Sequence, residues 1–304
     1  MMNAFDGHVL ITGSTGFIGR HVAAIGRRIG SNIYTITHSQ IDSEESTWVA
    51  DLQDFNRIKE ILSECRPEAI LHLAAAGVKH HSAGPAELLK VNTIGLANLF
   101  RAIEDLKLRP RIVLAGSGYE YKVQSRPITE TDPLEPSNFY GVSKASASLL
   151  ASLYSSKMPI VLLRLFSVYG PGEGNYRLAP YVIRQAKANA PVELTGGAQL
   201  RDFTYVGDVA EAFWRALLLA KDQSLTVVNV SAGVPITLRQ FVDELALILR
   251  SRGIVPDLRF GAIPYREDEP MYYLADTSRM QEMFRWSPPT SLSEGILRTV
   301  EAFL

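Results

Sequence analysis

Residues 8–20 read His8-Val9-Leu10-Ile11-Thr12-Gly13-Ser14-Thr15-Gly16-Phe17-Ile18-Gly19-Arg20. An apolar run of strand length ends in three glycines at spacing three and three, and a helical pattern opens at once. Glycines let backbone N–H groups approach a pyrophosphate, which then sits at the positive end of the helix. Strand, loop and amphipathic helix in that order predict a dinucleotide site. It would be formed by Gly13, Thr15, Gly16, Phe17, Ile18, Gly19 and Arg20.

The rest of the chain continues the alternation. Near-continuous apolar runs at 8–12, 32–37, 47–50, 69–73, 111–115, 160–165 and 227–230 read as strands. Helical patterns fit 17–29, 54–64, 86–106, 140–156, 179–189, 208–220, 238–252 and 293–303. Apolar strands separated by helices predict an α/β fold, a doubly wound parallel (Rossmann) sheet covered on both faces. After residue 170 prolines and glycines break the rhythm. The expected domains are therefore 1–170 for the dinucleotide, with 204–230 returning to it, and 171–304 as a smaller, interleaved C-terminal substrate lobe.

A formal net charge of -1, with basic residues few and dispersed, predicts neither a nucleic-acid groove nor attraction to anionic membrane. One cysteine, Cys65, excludes an intramolecular disulfide and fits a reducing compartment. The first residues lack a signal peptide's basic and apolar regions, and no apolar run approaches the ~20 residues that span a bilayer. The expectation is a cytoplasmic protein.

Which dinucleotide binds depends on the end of the second strand, Ile36-Thr37-His38-Ser39-Gln40. A carboxylate there would grip the ribose hydroxyls of NAD, but none occurs until Asp42. His38, Ser39 and Arg20 are possible partners for a 2′-phosphate, so NADP(H) is favoured and NAD(H) is the alternative. Asp51-Leu52 follows the third strand, where the carboxylate could meet the adenine amino group or could simply cap the next helix. Leu73, Ala74, Ala75 and Ala76 end the fourth strand in small residues, as a cofactor lying against backbone requires. His72 reads as a core histidine. No metal site is expected.

Tyr140 and Lys144 are one helical turn apart on one face. A free phenol has a pKa of about 10. A lysine charge about 4 Å away favours the phenolate by up to ~4 kcal/mol at an effective dielectric near 20. The pair can give and take a proton beside a carbonyl or hydroxyl.

These motifs, with Val91-Asn92, Leu165-Phe166-Ser167-Val168-Tyr169-Gly170-Pro171-Gly172, Arg201-Asp202-Phe203-Thr204-Tyr205 and Tyr265-Arg266-Glu267-Asp268-Glu269, resemble the extended short-chain dehydrogenase/reductase family. The closer resemblance is to its nucleotide-sugar epimerase, dehydratase and reductase branch, over essentially the whole chain. It implies a catalytic set of Ser117, Tyr140 and Lys144, Ser117 being placed by counting back from Tyr121. It makes Asn92 the helix-kinking asparagine, and it turns Arg201 and Arg266 toward a substrate diphosphate. Each arginine also has an ion-pair reading, Arg201 with Asp202 and Arg266 with Glu269. Ser167 stands where an asparagine often contacts the diphosphate. Tyr176, Arg177 and Lys79-His80-His81-Ser82 are placed by position near the sugar.

Sugar dehydratases of the branch carry an Asp-Glu pair where this chain has Gly118 and Tyr119, so those two residues would face the substrate without supplying acid–base chemistry. Glu120-Tyr121 resembles the reductases of 4-keto-6-deoxy sugars. The expected reaction is NADPH-dependent reduction of an NDP-4-keto-6-deoxyhexose at C4. An NAD-retaining NDP-hexose 4-epimerase is the alternative, and a non-catalytic dinucleotide-binding regulator a remote one. The resemblance, with apolar residues at helical spacing in 87–106 and 140–154, implies a homodimer through a four-helix bundle.

Overall fold

The run at 8–12 forms β1 (His8–Thr12), whose Val9, Leu10 and Ile11 are fully buried. This is a computed structural model that describes residues 4–38, 46–77, 84–220, 222, 224–267 and 269–304. Ser39, Asp42, Asp268 and Lys79-His80-His81-Ser82 lie outside the described residues.

β1 has a parallel neighbour on each side, β2 (Asn32–Thr37) and β4 (Ala69–His72). β3 (Thr47–Val49) extends the sheet beyond β2, and β5 (Arg111–Ser117) and β6 (Ile160–Leu165) extend it beyond β4, all in parallel. Leu225–Val230 is the seventh strand, beside β6. The order reverses between β1 and β4. In doubly wound sheets that switch point opens a crevice at the carboxyl ends of the strands.

Side chains alternate along each strand, so each buried strand feeds two cores. Leu10, Ile70, Ile112 and Leu162 meet Ile58, Ile61 and Leu62 of α2 (Phe55–Cys65) in one core. Leu96, Leu99 and Phe100 of α4 (Gly95–Asp105) join the same cluster. Val9 and Ile11 point to the opposite face, the side of α1 (Phe17–Arg28). Trp214 fastens the helix Val206–Leu219 to α1, its indole N–H donating to the Val22 carbonyl at 2.9 Å.

The helix expected over 86–106 is three pieces: α3 (Pro85–Leu89), a π-helical turn at Lys90–Ile94, and α4. Apolar residues are dense enough over 86–106 to fit one continuous helix, so the pattern alone does not reveal the wider turn. The cap of α2 is Asp54, whose carboxylate accepts the Arg57 N–H at 3.0 Å, not Asp51. Asn138 caps α5 (Phe139–Tyr154) in the same way.

The chain divides into two compact units. One comprises Met1–Lys122, Pro133–Leu165 and Ala210–Val228; the other Val123–Asp132, Phe166–Val209 and Asn229–Leu304. Residues 123–132, and also 166–170, 204–209 and 229–230, all expected with the first unit, group with the second. Backbone bonds explain the first of these: Ile128 N–H donates to the Leu274 carbonyl, and the Ile128 carbonyl accepts from Asp276 N–H and the Asn229 amide. The second unit has a three-stranded sheet of Pro235–Thr237, Leu200–Asp202 and Tyr272–Tyr273, with helices at Leu178–Lys187, Leu238–Ser251, Ser278–Phe284 and Leu292–Phe303. Tyr169, Phe203 and Phe241 pack inside it, the two phenyl rings stacked 4.1 Å apart.

Candidate active site

The loop after β1 is built by backbone packing against backbone. Gly13 has φ +73, and a Cβ on it would lie 2.6 Å from the Ala74 nitrogen; a Cβ on Gly19 would lie 2.0 Å from the Gly13 carbonyl oxygen. Side chains are excluded from both positions. Gly16 is the N-cap of α1, with no side-chain cap and no acidic residue in the first turn. An uncapped helix end in a glycine cradle suits a diphosphate, since its first N–H groups point outward and carry the positive end of the dipole. Thr15 and Arg20 are exposed and Phe17 and Ile18 half-buried. Arg20 folds back on the loop, donating to the Thr15 carbonyl at 3.1 Å and the Gly16 carbonyl at 3.3 Å.

Around that loop the strand ends converge. His38 closes β2 and is exposed. The Asp51 carboxylate accepts from the Gln53 backbone at 2.9 Å and its amide at 3.2 Å, and Leu52 beside it is buried. Leu73, Ala74, Ala75 and Ala76 follow β4, all half-buried. His72 is a core residue, its Nδ1 2.9 Å from Thr12 Oγ1. Burial, with the Lys144 charge adding to it, pushes its imidazole down to about 3.

Asn92 sits in the π turn and is buried. Its Oδ1 accepts the Ala76 N–H at 2.8 Å, while its amide donates to the Ala76 carbonyl at 3.1 Å and to Ser143 Oγ at 2.9 Å. One side chain thus ties the β4 loop to α5. π turns often mark such functional points.

Ser117, the last residue of β5, is buried, and its Oγ accepts the Tyr119 N–H at 3.2 Å. α5 starts directly against this turn: a Cβ on Gly141 would lie 2.2 Å from the Tyr119 carbonyl oxygen. That approach brings the Tyr119 and Tyr140 rings edge to face, with centroids 6.5 Å apart. Tyr140 is half-buried and Lys144 buried. Burial pushes the Lys144 ammonium down to about 8, against the opposing pull of the Glu120 carboxylate. A lysine in this state is cationic at neutral pH yet close to releasing its proton.

In the second unit, Arg201 and Arg266 share one carboxylate. Arg201 Nη2 donates to Glu269 Oε1 at 2.7 Å, and Arg266 donates twice to Oε2 at 2.8 and 3.0 Å. Arg201 is not paired with Asp202, which instead accepts the Gly233 and Val234 N–H groups. Ser167 is half-buried and Tyr176 exposed; Arg177 pairs with Glu173. Among the described residues no group of three or more His, Cys, Asp or Glu could hold a metal, and no helix is long and apolar enough to cross a membrane.

The profile of the NAD dependent epimerase/dehydratase family matches residues 9–231. The chain belongs to this family. The NAD dependent epimerase/dehydratase match takes in the glycine loop, Asn92, Ser117, Tyr140, Lys144 and Arg201, and Arg266 lies beyond it. A UDP-glucuronate 4-epimerase of Thermodesulfobacterium geofontis is 28% identical over 97% of this chain and 95% of its own. A dTDP-glucose 4,6-dehydratase of Xanthomonas campestris is 26% identical over 97% and 92%. Among solved structures, MoeE5 in complex with UDP-glucuronic acid and NAD is 28% identical, with a TM-score of 0.86 over 97% of this chain and 98% of that one. The protein is thus an enzyme of the short-chain dehydrogenase/reductase type, with a Rossmann-like α/β fold and nucleotide-sugar enzymes as relatives.

Two residues that make no appearance in the sequence reading of this NAD dependent epimerase/dehydratase site are central to its construction. Arg164 and Ser148 converge on Glu120, whose side chain is fully buried. The signals existed. Ser117-x-x-Glu120 is a capping-box spacing, and Arg164 is the one charge in the otherwise apolar strand at 160–165.

Proposed function

We propose that this chain reduces an NDP-4-keto-6-deoxyhexose at C4, with NADPH as reductant. The observation that carries this reading is the state of the turn after Ser117. Gly118 and Tyr119 hold no carboxylate, and the nearest one, Glu120, is fully buried and bonded to three protein donors. A turn without a free carboxylate has no acid–base pair for eliminating water. What it can do is exchange one proton at one oxygen.

In this reading the Tyr140 hydroxyl donates that proton to the C4 oxygen. The Lys144 charge lowers the cost of the phenolate left behind. The Ser117 hydroxyl hydrogen-bonds the same oxygen and fixes its position against Tyr140. Bound in the glycine cradle, the nicotinamide cofactor would supply hydride to C4. Gly13, Thr15, Gly16, Phe17, Ile18 and Gly19 would hold its diphosphate, with Leu73, Ala74, Ala75 and Ala76 beside it and Asp51 and Leu52 toward the adenine. His38 at the end of β2, with Ser39 and Arg20 as possible partners, supports NADP(H). Arg201 and Arg266 would take the substrate diphosphate by exchanging Glu269 for phosphate oxygens.

The second reading is an NDP-hexose 4-epimerase that retains NAD, favoured by the 28% identity with a UDP-glucuronate 4-epimerase over 97% of the chain. We propose further that the chain forms a homodimer. Phe139, Val142, Leu149 and Leu153 of α5 and Ile94 of the π turn are exposed apolar residues, and Leu153 is 73% exposed. That supports a bundle of α5 and α4 with their copies.

Incubation with dTDP-4-keto-6-deoxyhexose and NADPH tests the choice, the nicotinamide absorbance and the sugar product being followed together. Stoichiometric consumption of NADPH is expected, from protein purified largely free of nucleotide. Copurifying NAD, with interconversion of C4 epimers and no net use of NADPH, would decide for the epimerase.

A further inference from the structure

Glu120 connects three elements through one carboxylate. Its Oε1 accepts the backbone N–H of Ser117 at 2.7 Å, closing a capping box at the end of β5. Its Oε2 accepts the Ser148 hydroxyl of α5 at 2.6 Å and the Arg164 Nε of β6 at 2.8 Å. Glu120 is fully buried and Arg164 nearly so, with the guanidinium 4.4 Å from the centre of the Tyr121 ring. Tyr140, Lys144 and Ser148 follow one another at intervals of four, so they form one stripe along α5. The carboxylate that fixes the Ser117 backbone is therefore tied to the same helical face that carries Tyr140 and Lys144.

We propose that Glu120 is a positioning residue of this site: it registers Ser117 against the Tyr140–Lys144 face of α5 and brings a carboxylate to that face one helical turn beyond Lys144. The proposal rests on the roles given above to those three residues. A buried ion pair is a weak source of stability, since desolvation offsets most of its attraction. Its value here is geometric and electrostatic. The hydrogen bonds span β5, β6 and α5, and the negative charge is the one that opposes the loss of the Lys144 proton on burial. Among the described residues, His72 of β4, held neutral by burial, also faces Lys144, Tyr140 lies one turn away on the same helix, and Arg164 of β6 is spent on Glu120.

The test does not require a known substrate. Glu120→Gln is prepared with isotope-labelled lysine, and the Lys144 Nζ resonance, assigned by its loss in Lys144→Met, is titrated with pH. The expected result is a titration about one unit lower than in the wild type. Should Glu120→Gln not fold, the apolar pair Glu120→Val with Arg164→Met leaves neither charge buried alone. In parallel, Ser148→Ala cuts the link to α5 and keeps both charges. With dTDP-4-keto-6-deoxyhexose and NADPH it should lower kcat about ten-fold at unchanged KM and leave the Lys144 titration in place. An unmoved Lys144 titration in a folded Glu120 variant overturns the proposal. So does unchanged kcat in Ser148→Ala beside an active wild type. A wild type that turns over no sugar nucleotide defeats the proposed function instead, and the titration still decides for Glu120.

Discussion

Asn92 and Ala76 are joined twice, the side-chain oxygen of the first accepting the N–H of the second and the side-chain nitrogen donating to its carbonyl. Both backbone polar groups of Ala76, in the loop after β4, are satisfied by one residue of an irregular helical turn. Asn92→Leu keeps the branched heavy-atom framework and removes both bonds, with the one to Ser143. It should cost about 1–3 kcal/mol of stability, read from the urea midpoint. It should also weaken dinucleotide binding measured by fluorescence quenching. Unchanged stability would mean that the loop is held by other contacts.

Tyr140→Phe removes only a hydroxyl. Turnover should fall by about 10²–10⁴-fold while the circular dichroism spectrum and cofactor affinity stay close to those of the wild type. Ser117→Ala should lose less, because the Ser117 N–H bond to Glu120 survives and keeps the turn in place. Full activity of Tyr140→Phe on any sugar nucleotide would sink the mechanism.

His72 gives a stability prediction with a definite sign. An imidazole free in the unfolded chain titrates near 6.5, whereas burial pushes this one down to about 3. Between those values the unfolded state binds a proton that the folded state refuses, so acid favours unfolding. The contribution is whole above pH 6.5 and is lost as pH falls through about 3. It amounts to about 5 kcal/mol. His72→Asn should therefore show a shallower fall in urea midpoint than the wild type between neutral pH and about pH 4.5. Parallel curves would mean that folded His72 takes up its proton over the same pH range as the unfolded chain.

The proposed dimer has an accessible test. Leu149→Asp with Leu153→Asp places two charges on residues that are 60% and 73% exposed. The single chain should tolerate them, and a bundle should not. Light scattering at micromolar concentration should give twice the chain mass for the wild type and the chain mass for the variant. A monomeric wild type would mean that α5 turns its apolar side to solvent.

Much of the fold could be read from periodicity because parallel strands buried on both faces leave unbroken apolar runs. The boundaries of β1, β2 and β6 coincide with those runs. The helix Ser278–Phe284 was missed because seven residues give too few turns to establish a period. The resemblance implied a kink at Asn92, but its form as a π turn depends on Asn92 reaching the Ala76 backbone, a contact across sixteen positions. For the candidate site, the resemblance proposed Ser117, Tyr140 and Lys144, but local spacing could not say where Glu120 points. Its carboxylate reads as substrate-facing or buried with equal ease until Arg164 is found beside it, 44 positions away. The same limit applies to Arg201, whose neighbour in sequence is Asp202 and whose partner is Glu269, 68 positions on.

The segments of the two units alternate along the chain, and the unit that carries the seven-stranded sheet takes its last piece from Ala210–Val228. That piece includes most of the edge strand beside β6 and the tryptophan that bonds α1. During synthesis the first glycine loop therefore leaves the ribosome long before the residues that complete its sheet. Between the two, the nascent chain holds β6 as an unpaired edge and α1 without Trp214. A gene truncated after residue 170 would leave both in that condition permanently, so the unit that carries the glycine loop depends on residues as late as Val228.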